Sequence, residues 1–475
     1  MWRRAAAGAA APLLAALAPQ GRRQEGGTGW KGRAAPGPCG CDQRPGRSSA
    51  PKEALPPRVV DVVVVGGGIA GASTALHLAR ASKRVALLER ESCGAGATGL
   101  SCATICAWGR GDGSDAKAAL AQATLEELRA LEAEGRDCGL VECACLMLAR
   151  TQEELRWARE GAEKKAGHGY AAELLDPRAA ERLEPALRGA PLTGALCTRK
   201  GGYADPGATM QALTEAAQAA GSHICENCEV LSATIGGPER WLVHTSGGAI
   251  ACQHVVICAG AWANEVGRHF GLDLPVVKVK AQMAAIEPDA QGPRLSNVIY
   301  SVSSIAFWEA HPTLEAVAGV PNAVTHDSRG ARLCHHVYGR PAPDGCVWFG
   351  GDRLPLTHGG DDFQVDEVAA EENLEHVDAL LPALGLSGGS RQAWAGIVGP
   401  TLHGGTLVGE LLFCPGLWLC TGFGGSGFMT GVGAGAAVAS WIASSGHETS
   451  GEDAFRAVKV QADPTPWVRP ASAAL

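Results

Sequence analysis

The sequence predicts a mixed α/β protein: one domain of parallel strands covered by helices, and a second, smaller domain built on an antiparallel sheet. Three observations carry that expectation. Asp61 to Arg90 reads DVVVVGGGIAGASTALHLARASKRVALLER, in which four valines, a glycine turn, a helical pattern and a second apolar strand follow without a break. A later apolar strand, HVVICAGAW, again closes on small residues. From Pro275 to Phe349, short strand-like runs alternate with turn residues.

The chain begins differently. Residues 1–50 hold seven arginines and one lysine against Glu25 and Asp42, with abundant Ala, Gly and Pro. Arg-rich and acid-poor is the composition of an organelle transit peptide, with the mitochondrion as the expected address and the plastid or secretory route as alternatives. Residues 1–57 therefore read as leader and linker.

Val62 to Val65 then form a buried strand, and Gly66, Gly68 and Gly71 follow in GxGxxG spacing. A tight turn, a pyrophosphate approaching bare backbone and a helix packed closely on its strand each require a residue without Cβ. The helix start offers unpaired N–H groups and the positive end of its dipole. The second strand ends at Glu89, 18 residues after Gly71, where a carboxylate can accept hydrogen bonds from an adenosine ribose. This is a Rossmann-type dinucleotide site, and the motif alone leaves the dinucleotide open.

Further along, helical patterns run from Ala116 to Gly135, after the Thr151/Glu154 capping box, from Asp176 to Leu187, from Ala208 to Ala220 and from Val365 to Leu381. GLVECACLMLAR at 139–150 reads as a strand, and strands alternate closely from 224 to 258. Leu417 to Thr421 is a strand that opens onto Gly422-Phe423-Gly424-Gly425-Ser426-Gly427 and an Ala-rich helix. The tail, 446–475, reads as irregular. The nucleotide domain is assembled from 58–135, 196–272 and 390–445, and the second domain from 136–195 and 273–389.

Composition narrows the function. Apolar content of 46% and charged content of 19% fit a globular chain, and no apolar run reads as a membrane span. A net charge of −8 gives nucleic acid no electrostatic foothold. Many of the 17 cysteines sit inside apolar runs and read as buried thiols in a reducing compartment. Cys225 and Cys228 form a CxxC, but Cys252 and His254 supply a poor second half for a zinc site, so no metal is expected.

Taken together, the segments resemble the D-amino-acid oxidase family of FAD-dependent oxidoreductases, in its glycine oxidase, sarcosine oxidase and dimethylglycine dehydrogenase branch. VVVVGGGIAGASTALHLA with LLER, GGYADPGATMQALTEAAQAAG, VVICAGAW, FGGDR, QAWAGIVGPTLHGGTLVG and LWLCTGFGGSGFMTGVGAGAAVASWI carry the likeness in order. The resemblance implies FAD. Gly66, Gly68, Ile69, Ala70 and Gly71 would hold the pyrophosphate, with Glu89 and Arg90 at the ribose end. Thr98 and Gly99 would lie along the flavin, Val230 would touch the adenine, and Ala259, Gly260 and Trp262 would line the cofactor. Gly424, Gly425, Ser426 and Gly427 would present amides to the flavin pyrimidine. Relatives that bind flavin covalently do so at positions matching Leu100 or Gly396, so non-covalent FAD is expected.

The resemblance also implies oxidation of the C–N bond of a secondary or N-methylated amine or amino acid by hydride transfer to flavin. Oxygen, a flavoprotein or a quinone would accept the electrons. Where relatives place a carboxylate-binding arginine in WAGLRP, this chain reads WAGIVGP, with Val398 at that position and Leu402-His403 beyond. Tyr338, Arg340 and His403 are the catalytic-pocket candidates, with Lys280 and Trp308 weaker. A flavoprotein serving as an assembly or scaffold factor of a respiratory complex, and a 2-hydroxy acid dehydrogenase, are the alternative readings.

Overall fold

The computed structural model describes residues 57–107, 115–167, 169–236, 240–303, 337–356, 360–444 and 455–471. Trp308 and the leader lie outside them. A six-stranded sheet has the order Leu407–Glu410, Leu417–Thr421, His254–Ile257, Val62–Val65, Val85–Leu88, His223–Cys225. Every neighbour pair is parallel except the first. The four valines are all buried because both faces are covered. Val62 and Val64 pack towards the helices, while Val63 and Val65 pack towards a three-stranded layer, Val230–Ile235, Trp241–Thr245 and Gly248–Cys252.

The helices Ile69–Arg80, Asp115–Ala133 and Gly427–Ala443 pack so closely that side chains are excluded from the seam. A Cβ at Gly431 would lie 2.9 Å from Ile69 Cγ2, one at Gly433 2.3 Å from Leu120 O, and one at Gly435 2.7 Å from Thr74 N. Ser73 Oγ donates to Val432 O at 2.7 Å across the same seam. Among the described residues, one helix, Gly424–Ala443, is long and apolar enough to cross a membrane by length and composition alone. Its packing between two other helices gives that apolarity a local cause, and 67% of the stretch is buried inside the protein.

The second sheet has eight strands, in the order Arg391–Val398, Val279–Ile286, Val347–Pro355, Tyr338–Pro341, Val298–Ser301, Cys145–Ala149, Gly194–Thr198, Glu173–Leu175. Its pairs are antiparallel apart from Val298–Ser301 with Cys145–Ala149. It has more strands than the nucleotide sheet. Gly194–Thr198 and Arg391–Val398 largely come from segments the sequence assigned to the nucleotide domain. The chain crosses between the sheets without a change of composition, so no linker signal marks those crossings.

Local chemistry sets several boundaries. Thr151 Oγ1 accepts from Glu154 N at 3.1 Å, as the capping box requires, and Glu154 returns to Arg150 N. The helix expected to reach Leu187 stops at Leu183, because Pro185 forces Glu184 into extended backbone before a short 3₁₀ turn. The tail is more ordered than its composition suggested. Arg456–Gln461 is helical, and Arg469–Pro470 pairs with Leu272–Asp273.

Candidate functional site

The GxGxxG turn separates into two kinds of glycine. Gly66 has φ +110°, and a Cβ there would lie 2.6 Å from Cys258 O. A Cβ at Gly71 would lie 1.9 Å from Gly66 O. The fold itself demands both. At Gly68 the nearest atom is Thr98 Oγ1, at 3.4 Å, so no protein backbone claims the space. The residue that caps the helix thus leaves an opening at the helix's positive end, as a bound pyrophosphate requires. Thr98 Oγ1 accepts from Ile69 N at 3.2 Å, leaving the rest of the first turn without intrahelical acceptors. Ala70 lies in that turn.

Glu89 is built into the turn. Its Oε2 accepts from Gly67 N at 2.7 Å and its Oε1 from Glu91 N at 2.9 Å, which fixes the carboxylate beside the glycines. Cys228 N donates to Glu89 O at 2.8 Å, so the CxxC loop braces the acid and also leads into buried Val230. Burial, with a lesser effect of Cys228, pushes the Cys225 thiol up to about 11. Gly99 N donates to Gly94 O at 3.0 Å, closing the loop that presents Thr98.

Arg90 and Trp262 meet in a charged cluster. The Arg90 guanidinium lies 4.7 Å from the Trp262 ring centroid, and Lys278 Nζ lies 5.5 Å from it. Trp262 Nε1 donates to Asp361 Oδ2 at 2.9 Å, and Lys278 Nζ reaches Asp361 at 2.7 Å. Burial is the largest influence on Asp361 and pushes its carboxyl up. The bonds from Lys278 and Trp262, with the charges of Lys278 and Arg90, outweigh burial and leave the carboxyl below its ordinary value. Lys280 pairs with Asp362 and donates to Gln364 O at 3.0 Å, so residues 361–364 strap the two lysines to this edge.

Ala259 and Gly260 begin a short turn at the end of strand His254–Ile257, with Gly260 at φ +52° and open space where its Cβ would stand. Gly424 to Ser426 form a 3₁₀ turn leading directly into helix Gly427–Ala443. Gly424 N donates to Gly399 O at 3.3 Å, tying this turn to the end of strand Arg391–Val398. A Cβ at Gly425 would lie 2.2 Å from Arg353 Nη2. The sequence reading named no role for Arg353.

One face of the eight-stranded sheet turns towards these loops. Tyr338, Gly350, Met283 and Trp394 share a cross-strand row, and Tyr338 Oη donates to Met283 Sδ at 3.3 Å. Trp394 Nε1 donates to Leu100 O at 2.9 Å, binding the sheet to the loop after Glu89. Arg340 lies on the same face and is 1% exposed. Its Nε donates to Cys102 O at 2.7 Å and its Nη1 to Pro341 O at 2.8 Å. The guanidinium lies between the rings of Tyr203 and Trp348, at 4.7 and 4.4 Å. His403 stacks in parallel on Trp467 of the tail, with centroids 4.1 Å apart. Burial lowers its pKa, and its Nδ1 is buried without a hydrogen-bond partner among the described residues.

The structure sets Gly66, Gly68 and Gly71 in the first turn and Gly424, Gly425 and Ser426 in the second. The sequence reading missed Arg353, Met283 and Trp394, which are recognisable once strand alternation is placed in register. The DAO family model, described as FAD dependent oxidoreductase, matches residues 61–441. The glycine oxidase of Geobacillus kaustophilus (strain HTA426) is 32% identical over 248 residues, 51% of this chain and 64% of that protein. The mitochondrial sarcosine dehydrogenase of Mus musculus is 28% identical over 401 residues, 81% of this chain and 40% of that one. The crystal structure of glycine oxidase from Geobacillus kaustophilus superposes with a TM-score of 0.70 at 25% identity, covering 86% of this chain and 99% of that one. The chain spans less than two thirds of the length of these curated relatives. With a glycine turn, a second glycine loop and a family match over 61–441, the chain belongs to the DAO family of FAD-dependent oxidoreductases.

Proposed function

We propose that this chain oxidises the C–N bond of a small secondary or N-methylated amine or amino acid, using FAD held without a covalent bond. The observation that carries the reading is the packing of two helices, Ile69–Arg80 and Gly427–Ala443, whose glycine-rich starts lie beside a sheet face bearing Tyr338, Met283 and Trp394. The residues fit the cofactor: Gly68 leaves unclaimed space at a helix start, and Glu89 is fixed at the end of the second strand. The names of the relatives, glycine oxidase and sarcosine dehydrogenase, support the substrate class.

When bound, the flavin supplies a two-electron acceptor. The chain's own share is positioning and the exclusion of water. Gly68, Ile69, Ala70 and Gly71 would bind the pyrophosphate through backbone, and Glu89 the ribose, with Arg90 and Trp262 beside it. Thr98, Gly99, Val230, Ala259 and Gly260 would line the cofactor, and the amides of Gly424 to Gly427 would face the pyrimidine. Tyr338 with Met283 and Trp394 would wall the substrate side with apolar surface, favouring a neutral amine. Oxygen, a flavoprotein or a quinone would take the electrons onward. A mitochondrial address is proposed from the composition of residues 1–50 and is supported by the mitochondrial sarcosine dehydrogenase; a reporter carrying residues 1–50 tests it by import.

Anaerobic titration of the yellow holoprotein tests the reaction. Stoichiometric loss of the visible flavin band with N-methylated amino acids or amines is the expected result. Bleaching by 2-hydroxy acids alone would move the substrate to CH–OH chemistry. No bleaching by either class would leave a flavoprotein with an assembly or scaffold role.

A further inference from the structure

Lys278 directly precedes strand Val279–Ile286, and a spacing of two sets Lys278, Lys280 and Gln282 on one face of the sheet, opposite to Met283. Residues 361–366, which run without regular structure into helix Glu367–Leu380, are laid across that face. Gln282 Oε1 accepts from Asp366 N, and Gln282 Nε2 donates to Asp366 O at 3.4 Å. Lys280, with a side chain only 8% exposed, holds both Asp362 and Gln364 O. The strap is thus moored to the sheet. Its other end reaches the nucleotide half through Asp361, which accepts from Trp262 Nε1, pairs with Lys278 Nζ and lies 3.9 Å from Arg90 Nη2. Trp262 in turn meets the loop after Glu89, since a Cβ at Gly96 would lie 3.5 Å from Trp262 Cζ3. The Arg90 guanidinium covers the same ring. The Arg90 and Asp361 side chains are 38% and 31% exposed, so water and salt weaken this end. The strap is therefore held firmly on the sheet and lightly beside Glu89.

We propose that residues 361–366 form a latch over the adenosine end of the FAD site, with Asp361 as its catch; this rests on the assignment of the ribose end to Glu89 and Arg90. With Asp361 seated, Trp262 and Arg90 are drawn against the loop after Glu89, and the cofactor neither enters nor leaves. When Asp361 lets go, the strap turns on its moorings at Lys280 and Gln282, and the site opens. The catch joins protein to protein, so it closes over an empty site as it does over a filled one. It therefore scales entry and exit by the same factor and leaves the affinity for FAD unchanged.

The test measures FAD exchange rather than turnover. Uptake is followed by the loss of flavin fluorescence when FAD is added to the full-length apoprotein, and release by exchange of bound labelled FAD against excess unlabelled FAD. In Asp361→Ala both rates are expected to rise about fivefold at low salt, with Kd and the melting temperature of the apoprotein as in the wild type. Asp361→Asn keeps the acceptor for Trp262 but loses the charge, and its rates are expected to fall between the two. Raising KCl from about 0.05 M to about 0.5 M screens the catch, so release from the wild type should quicken while release from Asp361→Ala stays constant. Unchanged rates in both variants would overturn the proposal. Faster release with unchanged uptake would also overturn it, making Asp361 a contributor to affinity instead. Should Asp361→Ala melt earlier than the wild type, Asp361→Asn decides by the same two rates. A wild type that takes up no FAD would remove the site assignment itself. A wild type that binds FAD, with exchange indifferent to Asp361, would remove the latch alone.

Discussion

Leu100 and Gly396 face each other between the nucleotide loop and the eight-stranded sheet: a Cβ at Gly396 would lie 3.3 Å from Leu100 Cβ. These are the two positions at which the family resemblance places covalent flavin attachment, and neither an isobutyl group nor a hydrogen can form that bond. Acid precipitation of the yellow protein should therefore release about one FAD per chain into the supernatant. Flavin that stays with the denatured pellet would refute non-covalent binding.

The two kinds of glycine in the turn predict different failures. Gly71→Ala places a methyl 1.9 Å from Gly66 O, so the variant should lose stability, at about 1–3 kcal/mol or more, with or without cofactor. Gly68→Val meets no backbone within 4 Å, so the apoprotein should melt as the wild type does while flavin content falls at least about tenfold. Thermal melts of apo and reconstituted samples separate the two. Full flavin content in Gly68→Val would remove the basis for the pyrophosphate assignment.

Arg340 was a sequence candidate for the substrate carboxylate, and the structure places it in a packed, hydrogen-bonded setting. Arg340→Ala should cost about 3 kcal/mol of stability, because two carbonyl acceptors lose their donor and two rings lose their partner. Turnover of any acid and amine substrates should fall together. Selective loss of acids in this variant would return Arg340 to the substrate site.

His403 gives the tail a pH dependence with a defined sign. Burial lowers its folded pKa below the ordinary 6.5, so His403 takes up the proton more readily when the tail is undocked as pH falls. Docking through Trp467 is therefore at full strength above 6.5 and weakens as pH drops towards the lower folded value. Hydrogen exchange of residues 455–471 should rise over that window, and His403→Phe should flatten the response. Exchange that stays constant with pH in the wild type would contradict this.

The sequence placed the nucleotide half well because its signals are local. Strand Val62–Val65, helix Ile69–Arg80 and strand Leu417–Thr421 follow from apolar runs bounded by glycine, and helix Glu367–Leu380 from its own periodicity. The substrate side was less legible because its meaning lies in register. No pattern in FGGDR announces a bulge, and the bulge sets Arg353 on the sheet face that carries Met283 and Trp394. The contacts of Arg340 with the rings of Tyr203 and Trp348 join distant segments that a one-dimensional reading cannot bring together. The tail looked irregular because its helix is six residues long and its order comes from contacts with distant segments.

The bond from Ser73 to Val432 spans 359 residues. A growing chain makes the helix Ile69–Arg80 early but cannot complete its cover until Gly427–Ala443 has left the ribosome, after both sheets have been written. The FAD half is thus completed last, with loop closure preceding the reward of packing. Until then, the part of the Ile69–Arg80 surface that Gly427–Ala443 covers stays open to aggregation or to a chaperone. A substitution that widens the seam, such as Gly433→Leu, should show itself first as a low yield of soluble protein.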